Sequence, residues 1–318
     1  MAPDGTAKAI PAAVAARPLG RSRGVSSLER LARRRSTIAF VMTLPLILVI
    51  AGLVAYPAAW AIYLSTLNRR MTANIGLDNY LFLIESESFR MIIWQSCFFA
   101  ITAVLFKALI GFWLAHMLHT IPTRGQRKWR GMLLIPWVIP PALSTLGWWW
   151  MFDPSYSSIN WLLTVVGFPP VPWLGQPWWA RIAVIMVNVW YGAPFFMIMY
   201  LAALKSVPEQ LYEAAAIDGA TSWQRLWFIT LPMMRNIIAI TVLFSLIVTF
   251  ANYDIVRVLT NGGPRDTTHL FATYAFQVGI LSGNLPRGAA VSLFMLPILA
   301  IAAFFILRGV TRRAREMA

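Results

Sequence analysis

An all-α integral membrane protein with six transmembrane helices is the fold class this sequence predicts, and three observations predict it. Of 318 residues 58% are hydrophobic and only 12% are charged, about half the ~25% charge of a usual soluble domain. Apolar runs long enough to cross a hydrocarbon core, which takes about 20 residues of helix, recur along the chain. The basic residues favour alternate sides of those runs. With the N-terminus inside, the inner segments hold 19 of the 27 Lys and Arg, and the outer side holds Arg69, Arg70, Arg90, Arg181, Arg257, Arg265 and Arg287. That bias places both termini in the cytoplasm.

Residues 1–36 are rich in Ala, Pro, Gly, Ser and Arg without apolar periodicity, and are expected to form a disordered basic cytoplasmic arm. Residues 37–310 form the transmembrane domain and residues 311–318 a basic cytoplasmic tail. Arg33, Arg34 and Arg35 abut the first run, Ser36 to Asn68, and suit anionic lipid headgroups. That run is too long for a signal-peptide core, so it reads as an uncleaved span. The second run, Met91 to Thr123, is interrupted only by Lys107. An ionisable group in a span is by default a functional hypothesis; Lys107, midway through an interrupted run, can snorkel and is expected to be structural. His116 and His119 have helical spacing for a shared metal. No third ligand stands beside them, so they read as interface histidines and no metal site is expected.

The third run, Gly131 to Phe152, carries Pro136, Pro140 and Pro141 and should be kinked, its freed carbonyls satisfied by neighbouring helices or a water-lined cavity. Trp148, Trp149 and Trp150 close it as an aromatic belt. Residues 153–179 are external; Ile159 to Val166 suits a short interfacial helix, and Trp161, Trp173, Trp178 and Trp179 read as lipid-interface anchors. In the fourth run, Ile182 to Leu204, Gly192 and Pro194 loosen the helix at mid-depth beside Asn188, Trp190 and Tyr191. A packing kink and a substrate cavity fit that soft point equally well. The fifth run, Asn236 to Tyr253, puts Thr241, Ser245, Thr249 and Asn252 on one helical face. Hydroxyls and an amide both donate and accept, as a neutral polyol requires, although Ser and Thr also join helices to one another. A turn follows at Leu259 to Pro264, and Gly288 to Leu307 is the sixth run.

Between the fourth and fifth runs lies a polar, small-residue island, residues 205–232. Ser206 with Glu209 has the spacing of a capping box and predicts a helix start, and Thr221 with Gln224 repeats it. Gly219 stops the first short helix, and Pro232 ends or bends the second. Ala214, Ala215, Ala216 and Ala220 keep the corner thin enough for another backbone to approach, with Glu213 and Asp218 as its acids.

Glu213-Ala214-Ala215, then Gly219, then Ile229-x-Leu231-Pro232 resembles the EAA loop of the membrane subunits of binding-protein-dependent ABC importers. The Thr260-x-Gly262-Gly263-Pro264 turn with Thr267 is similar to the carbohydrate-uptake branch, the maltose-importer and glycerol-phosphate-importer type of first permease subunit. The resemblance covers about Ser36 to Arg308. It implies a type I importer permease fold in a bacterial inner membrane, and a loop at Glu213, Ala214, Ala215, Asp218, Gly219 and Ala220 that docks in a cleft of an ATPase. It further implies a sugar site at Tyr191, Gly192, Phe195, Ser245, Thr249 and Asn252. Thr249 replaces an asparagine of the maltose-type subunit, and the large extra periplasmic domain of that subunit is absent. The implied partners are a second homologous permease, two ATPase subunits, a solute-binding protein, a carbohydrate substrate and membrane lipids. The family does not rely on a charge at Lys107.

The absences narrow the reading. No G-x-x-x-x-G-K-[ST] phosphate loop occurs, so ATP and Mg belong to the partner and the chain needs no cofactor of its own. No Ser-His-Asp, Cys-His or paired intramembrane carboxylate set points to an enzyme. The lone Cys97 excludes an intramolecular disulfide. No soluble basic face with base-stacking elements suits nucleic acid. An ion-coupled secondary transporter is the alternative, and only Asp254 and Lys107 offer it a titratable relay.

Overall fold

The computed structural model describes residues 35–315; the basic arm expected before Arg35 and the last three residues of the tail lie outside them. Among the described residues the chain is helical, with no strand beyond an isolated bridge between Leu67 and Asn74. Contacts divide the chain at Pro57. The first unit holds α1 (Arg35–Ile50), which contains Pro45, and a π turn, Ala51–Ala55. After α2 (Tyr56–Ser65), the second unit runs through α3 (Asp78–Glu85), α4 (Glu87–Thr120), α5 (Thr123–Leu133), α6 (Ile135–Val138) and α7 (Pro141–Met151). It continues with α8 (Ser158–Val165), α9 (Pro177–Lys205), α10 (Glu209–Ile217), α11 (Ser222–Arg225), α12 (Leu231–Phe250), α13 (Asp254–Leu259), α14 (Phe271–Phe276) and α15 (Leu285–Arg315).

Five helices among the described residues are long and apolar enough to cross a membrane: Ala39–Ser65, Glu87–Thr120, Pro177–Lys205, Ser222–Phe250 and Leu285–Gly309. The run expected as a kinked third span is instead three pieces, α5, α6 and α7. Proline causes the division: Ile139 and Pro140 are extended, with ψ of 135° and 132°, as expected for residues that precede a proline ring. Pro141 then starts α7 at a position where a missing N–H costs nothing.

The pair α4 and α9 forms the centre. Lipid is as apolar as leucine, so helices in a membrane associate through close packing and hydrogen bonds rather than through burial from water. Small residues permit that approach: Ala100, Ala103, Ala183 and Ala203 are fully buried. At Gly111 of α4 a side chain would fall on the Cβ of Phe196 of α9. Three clusters are built around this pair. Phe99, Val187 and Ile255 centre one, Val104, Phe196, Tyr200 and Met234 the next, and Phe89, Phe250, Phe271 and Val291 the third.

Candidate functional site

The island between α9 and α12 forms a platform of two short helices meeting at a glycine corner. Its first helix does not begin with the expected Ser206 capping box. Ser206 caps the end of α9 instead, its hydroxyl donating to Ala203 O at 2.7 Å, and Pro208 starts α10 without a side-chain cap. A serine one residue past a helix end finds the last-turn carbonyls closer than the next helix's amides, and Pro208 needs no capped N–H. The second capping box is formed: Thr221 Oγ1 accepts from Gln224 N, and Gln224 Oε1 accepts from Thr221 N at 2.7 Å.

Gly219 sits at the corner with φ +75°, the left-handed conformation glycine adopts without penalty. Around it Glu213, Ala214 and Asp218 are exposed, and Ala215 and Ala220 half-buried. The neighbouring Ile217 is 88% exposed, and Trp223, Trp227 and Phe228 are also exposed. Pro232 does not end the second short helix. A π turn, Leu226–Thr230, lies between α11 and α12, so that Ser222 to Phe250 is one continuous helix and Pro232 falls in the first turn of α12. Tyr212 of α10 ties the platform to that turn, its hydroxyl 2.9 Å from Thr230 Oγ1. Beneath the platform a cavity of about 450 Å³ is lined by Phe112, His116, His119, Tyr212, Trp223 and Arg225 among others.

The polar stripe of α12 faces inward. Thr241, Ser245 and Thr249 are buried; Asn252, expected on the same helical face, instead lies past the end of α12 and is half-buried. On α9, Asn188 is 3% exposed, Tyr191, Gly192 and Phe195 are half-buried, and the Phe195 ring packs 5.2 Å from Phe244 and 5.8 Å from Trp137. Thr241 is spent locally, bonding back to Ile237 O at 2.6 Å. The Oδ1 atoms of Asn188 and Asn252 are buried without a hydrogen-bond partner among the described residues. Buried amide oxygens are rarely left unpaired, and these two lie next to Gly192 and Thr249.

What joins the two helices is Lys107, which does not snorkel. Its side chain is 4% exposed, and Nζ donates to Thr249 Oγ1 at 2.9 Å. Its stem lies against Gly192, where a Cβ would come within 2.7 Å of Lys107 Cε and 2.8 Å of Cδ. The space left by Gly192 is thus filled by lysine in this structure. Sequence reasoning gave Lys107 a bland role because periodicity places a residue on its own helix face but not opposite a partner; its spacing from Thr249 along the chain carries no signal.

At the end of α9 remote from the platform, Arg181 is buried and held by both hydrogen bonds and ring contacts. Its Nε donates to Gln95 Oε1 at 2.7 Å and to Thr267 O at 3.2 Å, and its guanidinium lies between the rings of Trp94 and Trp178. The expected turn at residues 259–264 is formed, with Gly262 at φ +85°. It is closed by Thr268, whose hydroxyl donates to Gly263 O at 2.7 Å and lies 2.7 Å from Thr260 Oγ1.

Comparison with known proteins is consistent with this architecture. A family model described as the binding-protein-dependent transport system inner membrane component matches residues 19–316. The trehalose/maltose transport system permease protein of Thermococcus litoralis is 32% identical over 83% of this chain and 90% of its own. The sulfoquinovosyl glycerol transport system permease protein of Agrobacterium fabrum is 30% identical over 81% of this chain and 85% of its own. Among solved structures, a bacterial alginate ABC transporter in complex with an alginate pentasaccharide-bound periplasmic protein aligns with a TM-score of 0.74. It is 26% identical and covers 86% of this chain and 93% of the matched chain.

Proposed function

The chain belongs to the binding-protein-dependent transport system inner membrane component family, and from that premise we propose that it is one half of the membrane pathway of an ATP-driven importer for a sugar or related polyol. The observation that carries the proposal is the continuity of Ser222–Phe250. One helix carries the second platform helix at its start and Ser245 and Thr249 near its end, with Asn252 just past that end, so a movement of α11 is transmitted along a continuous helix to the stripe.

In this reading Glu213, Ala214, Ala215, Asp218, Gly219 and Ala220 dock with an ATPase subunit in the cytoplasm. Both termini lie on that side, and the broken segment α5 to α7 joins the five long helices to make six crossings. A second permease completes the pathway, two ATPase copies close on ATP and Mg, and a solute-binding protein delivers the substrate. The exposure of Ile217, Trp223 and Phe228 supports a protein partner there, since apolar side chains gathered outside the hydrocarbon core mark interaction surfaces. The saccharide named for each of the two related permeases supports a sugar as cargo. Tyr191, Gly192, Phe195, Ser245, Thr249 and Asn252 contact it; the chain itself does no covalent chemistry. The test is uptake by vesicles containing the full assembly with its receptor: accumulation should require ATP and the ATPase subunits, and accumulation in their absence would refute the reading.

A further inference from the structure

Two basic side chains are buried on the central pair, Lys107 on α4 and Arg181 on α9, and their surroundings differ. Arg181 has an amide oxygen, a backbone carbonyl and two indole faces to hold it. Lys107 has one neutral hydroxyl. It lies about 20 Å from the nearer end of α4 at ~1.5 Å per residue, and its side chain is buried against α9 and α12. An ammonium has three N–H donors, and Thr249 is the only hydrogen-bond partner recorded for it. Among the described residues no carboxylate pairs with it: Asp266 lies 3.5 Å from the imidazole of His269, and Asp254, just beyond the stripe, is exposed.

A buried charge without a counter-charge is among the least stable arrangements a side chain can have, and in a membrane such residues mark substrate and ion pathways. The surroundings here suit a visiting anion. Thr249 is a neutral partner that an anion can replace at once, and it belongs to the stripe assigned to the substrate. Asn188, one turn before Gly192 on α9, and Asn252, three residues past Thr249, carry acceptor oxygens that no donor fills among the described residues. Hydroxyl groups of a sugar supply those donors while an acidic group meets Nζ. Resting on the importer reading above, we propose that Lys107 is a specificity-determining residue, and that the substrate is an acidic sugar whose carboxylate, sulfonate or phosphate takes the place of Thr249 on its ammonium.

The experiment uses the full assembly, with its own second permease, ATPase and receptor, reconstituted in vesicles. The probes are trigalacturonate, a 6-sulfonated hexose and glucose 6-phosphate, each set against maltotriose and glucose as neutral counterparts. ATP-dependent uptake of an acidic probe should exceed that of its neutral counterpart. Lys107→Met should lower it at least about tenfold, the loss of one charge-assisted contact, while Lys107→Arg retains most of it at equal membrane level. Neutral probes taken up as well as acidic ones, or acidic uptake unchanged in Lys107→Met, would overturn the inference and leave the importer standing. Uptake that proceeds without ATP or the ATPase would instead remove the importer reading and this inference with it. The acidic-over-neutral preference is read in the unaltered protein, so instability of the methionine variant does not remove the test.

Discussion

Gly262 lies flat against the imidazole of His269, so closely that a methyl group on its Cα would fall on the ring. Gly262 is also held at φ +85°, a conformation that favours glycine. Gly262→Ala therefore meets both a steric and a backbone penalty, of about 1 to 3 kcal/mol for the backbone alone. The expected result is a lower temperature of half-inactivation in detergent and reduced membrane content. Gly283→Ala is the control: it has a similar positive φ of 64° but open space around its Cα, and should lose less.

His269 itself should make stability pH-dependent. Burial holds its imidazole below the usual value, Asp266 opposes this and Arg257 adds to it. The fold thus favours the neutral ring. The stabilisation is complete above the unfolded value of about 6.5 and is lost as pH falls through the lower folded value. Half-inactivation temperatures measured from pH 7.5 down to pH 5 should fall more steeply for the unaltered protein than for His269→Gln. Parallel curves would assign the acid sensitivity elsewhere.

At the platform corner, a Cβ on Gly219 meets nothing within 4 Å. The chain itself therefore leaves room, and the objection to Gly219→Val is its backbone, since a β-branched residue at positive φ is strongly disfavoured. Gly219→Asn keeps the left-handed conformation within reach. If conformation alone matters, valine should abolish uptake and asparagine retain much of it, with receptor binding unchanged in both. Loss in both variants would mean that the partner cleft admits no side chain. Glu213→Ala should have a smaller effect, because exposed charge pairs contribute little.

Thr249→Val and Asn252→Ala should separate stability from transport. Removing the Thr249 hydroxyl strands the Lys107 ammonium, a loss of at least about 1 to 3 kcal/mol, and should reduce membrane content as well as uptake. Asn252 Oδ1 has no partner to lose, so Asn252→Ala should leave membrane content near normal and reduce the uptake rate. Equal effects of the two on membrane content would contradict the arrangement around Lys107.

Much of this was legible in the chain because membrane helices are read from length and apolarity, and the platform from turn chemistry. The Thr221–Gln224 box, the positive φ of Gly219 and the inward stripe of α12 follow from local rules. The division of the third span was half legible: three prolines announce a disturbance, but whether it bends or breaks depends on which neighbours hold the freed carbonyls. The role of Ser206 is not legible from spacing, because one hydroxyl can serve the helix behind it or the one ahead, and only the fold shows that it bonds back to Ala203 O. The setting of Lys107 was the least legible, because 142 residues separate it from Thr249 and only packing brings them together.

The π turn at Leu226–Thr230 keeps α11 and α12 on one shaft, and a shaft converts angle into travel. Thr249 lies about 30 Å beyond Thr230 at ~1.5 Å per residue, so a tilt of about 10° at the base would sweep it sideways by about 5 Å. Such a stroke exceeds the 2.9 Å span of the Lys107–Thr249 bond. If α4 stays in place, that bond acts as a latch: rocking the shaft at one end would undo it at the other. Crosslinking Tyr212 to Thr230 through paired cysteines would then stiffen the base of the lever and slow the stroke without touching the cargo.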